Sequence, residues 1–330
     1  MKTVVVTGGA GFIGSHLCEA LLKEGYKAIN IDNFNGFYEP AIKRKNVRET
    51  VFSLKSRHIE ESAYQVEEGD IRDFTFLEKV FNKHSVDIIV HLAAYAGVRP
   101  SIQKPRLYAD VNINGTVNIL EMSKLFNISG IIFASSSSVY GNNIKIPFSE
   151  EDSVDFPISP YAATKKAGEL LCHAYHSLYK MNIMCLRLFT VYGPRQRPDL
   201  AIHRFTRLIA ENEEIPFYGD GLTERDYTYI DDVIDGILRA IDWVSSGTRK
   251  YEIINLGRSN TISLIEMIKT IEEILGKRAK VSRMPLPPGD VNRTCADISK
   301  ARRILGFNPQ TCFNDGISKF VEWFIKNQST

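Results

Sequence analysis

Along the first half of the chain, short apolar runs alternate with amphipathic stretches. Thr3–Thr7 reads TVVVT, rich in β-branched residues and closed by Gly8 and Gly9. The next stretch, FIGSHLCEALLKEG, carries apolar residues at helical spacing and stops at Gly25. KAINID then reads as a second strand, and VDIIVHLAA and SGIIFASSS as later ones. These runs are continuously apolar rather than alternating, which marks strands covered on both faces, as in a parallel sheet. Strand–helix alternation predicts an α/β, doubly wound parallel sheet of the Rossmann type.

From about Phe189 the pattern changes. Proline-rich loops (YGPRQRPDLA, FYGDGLTERDYTYIDD, MPLPPGDVNRT) separate the helical patterns DVIDGILRAIDWV, SLIEMIKTIEEILG and GISKFVEWFIKN. This predicts a dinucleotide-binding domain over 1–188 and a smaller C-terminal α/β substrate lobe over 189–330. No Gly/Ser linker parts them, so the two are expected to interleave.

Composition narrows the partners. A chain of 330 residues buries an ample core. A net charge of +2 supports neither a nucleic-acid partner nor an acidic-tail reading. The five cysteines (Cys18, Cys172, Cys185, Cys295 and Cys312) are scattered without a CxxC pair, which suggests neither metal nor disulfides and a reducing, cytoplasmic setting. The N-terminal run MKTVVVTGGAGFIGS is too short for a signal peptide and lacks its cleavage site. No run approaches the roughly 18 apolar residues of a membrane span.

Gly8, Gly11 and Gly14 form GxxGxxG between the first strand and its helix, with Asp32 ending the next strand. In that context glycines let the backbone approach a pyrophosphate at the positive helix N-terminus. Asp32 would accept from the adenosine ribose hydroxyls and repel a 2′-phosphate, favouring NAD over NADP. The plain alternative is a tight turn that binds nothing. Asp70, followed by Ile71, could hold the adenine edge or simply cap the helix FTFLEKVF. His91 reads as a satisfied core histidine, and AIKRKNVRE as a solvated basic face.

Ser135–Ser138 lie at the C-terminal end of an apolar strand, the edge where parallel sheets bind ligands. In SPYAATKKAGEL, Ser159 suits an N-cap and Pro160 the first helical position. Tyr161 and Lys165 then share one helix face, one turn apart. By themselves they would pass for a lysine lying over a surface ring.

Together with GxxGxxG, the strand-end serines, Tyr161 and Lys165 resemble the catalytic apparatus of the short-chain dehydrogenase/reductase superfamily, in its extended nucleotide-sugar branch. AAYAGVRPSIQKP, YGPRQRPDLA, RDYTYIDDVIDGI and PGDVNRTCADISKARRILGFNP are similar to the UDP-glucuronate 4-epimerases, and the resemblance spans essentially the whole chain. It implies a tightly bound NAD, oxidation of the sugar at C4, rotation of the 4-keto intermediate and return of hydride to its other face. Tyr161 would be the acid/base, its phenolate favoured by the Lys165 charge and the nicotinamide. Ser136 or Ser138 would hydrogen-bond O4. The cofactor would lie against Gly8, Gly11, Phe12, Ile13, Gly14, Asp32 and Asn33 on one side. On the other it would meet Asp70, Ile71, Leu92, Ala93 and Ala94, with Tyr161 and Lys165.

For the sugar nucleotide, the resemblance implies Arg99, Ser138, Thr190 and Arg197 near the sugar, Arg225 and Arg293 at the diphosphate, and Asp290 at the uridine ribose. The 4,6-dehydratases carry an Asp–Glu pair where this chain has Ser137 and Ser138, and the decarboxylating UDP-xylose synthases a Glu at Ser138. A 4-keto glucuronate is a β-keto acid that loses CO₂ when its carboxylate bond stands perpendicular to the carbonyl plane. Arg197 is therefore expected to hold the carboxylate; its alternative is a loop pair with Asp199. A homodimer through helices near 105–125 and 161–180 is also implied. Two other functions stay open: a 4-epimerase of neutral UDP-sugars, and an NAD-binding protein without catalysis.

Overall fold

The computed structural model describes residues 1–247, 249–285 and 291–328. Its main sheet has seven strands in the order β10-β6-β5-β4-β1-β2-β3. The first six in the chain are β1 (Thr3–Thr7), β2 (Lys27–Asp32), β3 (Tyr64–Glu68), β4 (Ile88–His91), β5 (Gly130–Ser136) and β6 (Asn182–Leu188). The others are β7 (Thr190–Tyr192), β8 (Glu214–Tyr218), β9 (Glu224–Tyr229), β10 (Tyr251–Leu256), β11 (Thr261–Ser263) and β12 (Lys280–Met284). All pairings in the main sheet are parallel.

Strand alternation divides the core between two layers. Val4 and Val6 of β1 pack in a cluster with Leu17 and Leu21 of helix Phe12–Lys23 and with Val233 and Ile237 of helix Ile230–Ser245. Val5 faces the other way, toward Leu77 of helix Phe74–Lys83 and Ile119 of helix Gly115–Leu125. That two-sided burial is why the strand sequences show no alternation.

The second half builds two small sheets, β11-β9-β7 and β12-β8. It also returns to the first half. β10 pairs with β6 from Tyr251↔Ile183 to Leu256↔Leu188, forming the edge of the main sheet.

Two histidines, His91 buried and His16 half-buried, fasten the framework. Thr116 donates to the Asn112 carbonyl at 2.7 Å, so its hydroxyl accepts from Nε2 of His91 at 3.1 Å, while Thr7 donates to Nδ1 at 2.7 Å. His91 is a satisfied core residue. Burial, and then the Lys165 charge, hold its pKa down to about 3. His16 donates from Nε2 to the Pro194 carbonyl at 2.9 Å, and burial, then Arg195, lower its pKa to about 4.

Both rings stay neutral in the folded protein, whereas the unfolded chain binds a proton near 6.5. Their contribution is complete above pH 6.5 and lost as pH falls toward 4 and 3. At about pH 5 each costs about 2 kcal/mol. The expected result is a Tm that falls from neutral pH to pH 5, less steeply in His16→Gln, whose amide can still donate to Pro194. An unchanged slope in that variant would contradict the assignment.

Candidate active site

The C-terminal ends of the central strands open into one cleft of about 370 Å³. At its floor the chain turns from β1 into helix Phe12–Lys23. Gly8 takes φ +72°, a left-handed value that disfavours any side chain. Gly11 caps the helix without any side-chain bond to the first-turn amides. Those amides, with Phe12 and Ile13 lining the cleft, offer hydrogen-bond donors and the positive end of a helix dipole to an anion. A Cβ on Gly14 would stand 2.2 Å from the Gly8 carbonyl oxygen, so the helix is pressed directly onto the turn. Gly14→Ala should therefore destabilise the protein by about 1–3 kcal/mol, read as a lower Tm; a wild-type Tm would show that the turn yields freely.

On one flank, Asp32 Oδ1 accepts the Phe34 amide at 2.8 Å and Lys43 Nζ at 3.3 Å. Its Oδ2 has no protein partner among the described residues, so it can accept from a ribose hydroxyl. Lys43 corrects the reading of its segment as a solvated face. In helix Pro40–Ser56 the positions Lys43, Asn46, Thr50 and Leu54 are buried at helical spacing. The Asp32–Lys43 pair carries no net charge, so repulsion of a 2′-phosphate by Asp32 is weaker than its sequence position implies.

Asp70 accepts from Asn33 at 2.8 Å and from Arg72, which holds its pKa down at about 2. The helix cap belongs to Asp73 instead, which accepts the Phe76 amide at 2.9 Å. Ile71, Leu92, Ala93 and Ala94 line the same space.

On the opposite flank, helix Pro160–Tyr179 begins as its sequence predicts: Ser159 Oγ accepts the Ala162 amide at 3.1 Å, and Pro160 follows it. Tyr161 and Lys165 thus face the end of β5. Ser136 donates to Ser138 Oγ at 3.1 Å, and both line the cleft with Tyr161. Burial raises the Tyr161 pKa, and the Ser136 hydroxyl and Arg197 pull it back.

Lys165 is buried and donates from Nζ to the Ala134 carbonyl at 2.6 Å; burial lowers its pKa to about 8. The Lys165 ammonium thus turns to the strand carbonyl. The serine cluster also divides. Ser135 gives its hydroxyl to Glu169 at 2.6 Å, and Glu169 is clasped by Arg187 at 2.8 and 2.9 Å.

Thr190, Ser138 and Arg197 line the cleft with Tyr161. Arg197 also makes the loop pair, donating from Nε and NH2 to Asp199 at 2.9 and 2.7 Å. Its guanidinium lies 4.9 Å from the Phe37 ring. Three other arginines are not brought to the cleft lining. Arg99 lies over the Tyr218 ring at 4.9 Å. Arg225 donates to the Glu224 carbonyl at 2.9 Å, and Arg293 pairs with the Glu224 carboxylate at 2.6 Å. Asp290 lies outside the described residues. Among the described residues, no group of His, Cys, Asp or Glu is placed to hold a metal, and no helix is long and apolar enough to cross a membrane.

A family model described as GDP-mannose 4,6 dehydratase matches residues 5–320. A UDP-glucuronate 4-epimerase of Thermodesulfobacterium geofontis is 42% identical over 99% of this chain and 97% of its own length. The solved structure of UDP-glucuronic acid 4-epimerase from Bacillus cereus, in complex with UDP-glucuronic acid and NAD, superposes with a TM-score of 0.89 at 38% identity, covering 98% of this chain and 99% of that one. UDP-glucose 4-epimerase from Thermotoga maritima, solved with UDP-glucose, gives 0.87 at 31% identity, with 99% of both chains covered. The chain belongs to the NAD-dependent epimerase/dehydratase family.

For a family member, the sequence reading missed two groups beside its cleft. Lys43 sits in a basic run where three of the four inward positions are polar, so hydrophobic spacing gives no sign of it. Glu169 continues the Tyr161–Lys165 spacing by one more turn, a signal present in YAATKKAGE but meaningless until Arg187 is seen opposite it.

Proposed function

We propose that the protein is an NAD-dependent UDP-glucuronate 4-epimerase, interconverting UDP-glucuronate and UDP-galacturonate. The observation that carries this reading is the placement of a cationic fork, Arg197, in the same cleft as Tyr161, Ser136 and Ser138. The cleft suits a dinucleotide: its glycine turn has no room for a Cβ, and its first-turn amides are uncapped. When bound there, NAD supplies the acceptor and donor of the C4 hydride.

The chain's own residues do the rest. Tyr161 takes the C4 hydroxyl proton and returns it, with Ser136 ordering the phenol and Ser138 within reach of the same oxygen. Ser137 and Ser138 offer hydroxyls where the family's dehydratases have carboxylates, so no acid/base pair stands ready to expel water. Arg197, with Thr190, holds the sugar carboxylate away from the geometry that loses CO₂. Arg225 and Arg293 would take the diphosphate by exchanging their bonds to Glu224, and Asp290 the uridine ribose.

We place the enzyme in the cytoplasm, in keeping with five free thiols. We read it as a homodimer, in keeping with exposed Leu125 on helix Gly115–Leu125 and exposed Leu170, Leu178 and Tyr179 on helix Pro160–Tyr179. The deciding test is incubation of the purified protein with UDP-glucuronate and no added cofactor, with products read by NMR. UDP-galacturonate without CO₂ is the expected product. A UDP-pentose, or turnover of UDP-glucose alone, would overturn the reading, the latter in favour of a neutral-sugar epimerase.

A further inference from the structure

The loop that carries Arg197 is pinned on both sides. Before it, Arg195 bridges Glu19 at 2.6 Å and Glu49 at 2.8 Å. Gln196 donates to the Val191 carbonyl at 3.2 Å, and its own carbonyl lies 2.6 Å from His203 Nδ1. The backbone at Arg197 is thus fixed, and the aim of its guanidinium depends on what its side chain touches. One contact is the face of Phe37; the other is Asp199, which takes the Nε–NH2 edge with two bonds. A guanidinium has five N–H donors. Asp199 uses two, and NH1 has no protein acceptor among the described residues, nor is it one of the buried orphan atoms. A second carboxylate can therefore dock end-on across NH1 and NH2 without displacing Asp199.

We propose that Asp199 is a positioning residue that sets the aim of Arg197 and thereby makes the cleft selective for acidic over neutral UDP-sugars. This rests on the reading of Arg197 as the carboxylate anchor. Asp199 is 44% exposed against 16% for the Arg197 side chain, so the aspartate braces the fork from the solvent side while the arginine faces the cleft. A fork held before the ligand arrives loses less side-chain freedom on binding it.

The experiment compares wild type with Asp199→Ala and Asp199→Glu, measuring Kd for UDP-glucuronate and UDP-glucose by calorimetry and products by NMR. In Asp199→Ala we expect UDP-glucuronate to bind about tenfold more weakly. A UDP-pentose product should appear as the carboxylate loses its restraint, and UDP-glucose should bind as before. Asp199→Glu should restore part of the difference. Equal weakening of both ligands would reduce Asp199 to a structural pair, and tighter binding of UDP-glucuronate would make it a competitor; either overturns the inference. Wild-type protein that leaves UDP-glucuronate unchanged overturns the function itself, whereas wild-type turnover with unaltered variants overturns only the role of Asp199.

Discussion

Tyr161→Phe should lower kcat by about 10²–10⁴, the usual contribution of a positioned acid/base, while leaving ligand affinity nearly intact. The phenol is the group in the cleft best placed to exchange a proton with the C4 oxygen: Lys165 is committed to the Ala134 carbonyl and the nearby hydroxyls belong to weakly acidic serines. Phe keeps the ring and its edge contact with Tyr108, 6.3 Å between centroids, so the fold should tolerate the change. The measurement pairs an NMR time course with calorimetric titration of UDP-glucuronate. Turnover at the wild-type rate would take the acid/base role away from Tyr161.

The second large effect concerns Arg197. Arg197→Ala removes a charge-assisted contact worth about 1.5–3 kcal/mol, so UDP-glucuronate should bind roughly 10- to 100-fold more weakly. UDP-glucose, with no carboxylate, should be little affected. Any 4-keto acid still formed should shed CO₂ more readily, giving a UDP-pentose. Equal loss on both sugars would sink the assignment and leave Arg197 as a loop brace for Asp199.

Much of this site was legible in the chain because it rests on local rules. Gly8 and Gly14 announce a backbone that must come close to something, and Ser159–Pro160 announces where helix Pro160–Tyr179 starts. The core strands were legible for the same reason, since a strand buried on both faces has no polar position to hide. What stayed hidden depends on partners far away in sequence. Asp73 and Asp70 are equal as caps on paper; only Arg72 and Asn33, converging on Asp70, free Asp73 for the task. Lys43 looks like its neighbours Arg44 and Lys45 until helix Pro40–Ser56 docks and turns it toward Asp32. The rotamer of Lys165 was beyond reach as well. A shared helix face places it near Tyr161, but whether its ammonium meets a phenol or the Ala134 carbonyl is decided by the neighbouring strand.

The return of β10 to the main sheet bears on how the enzyme opens. The ladder from Tyr251 to Leu256 makes a strand from the second half of the chain an integral part of the sheet that ends at the glycine turn. Peeling β10 from β6 would cost a free energy comparable to local unfolding. Any opening of the cleft therefore leaves this edge of the sheet whole and bends the chain outside Tyr251–Leu256.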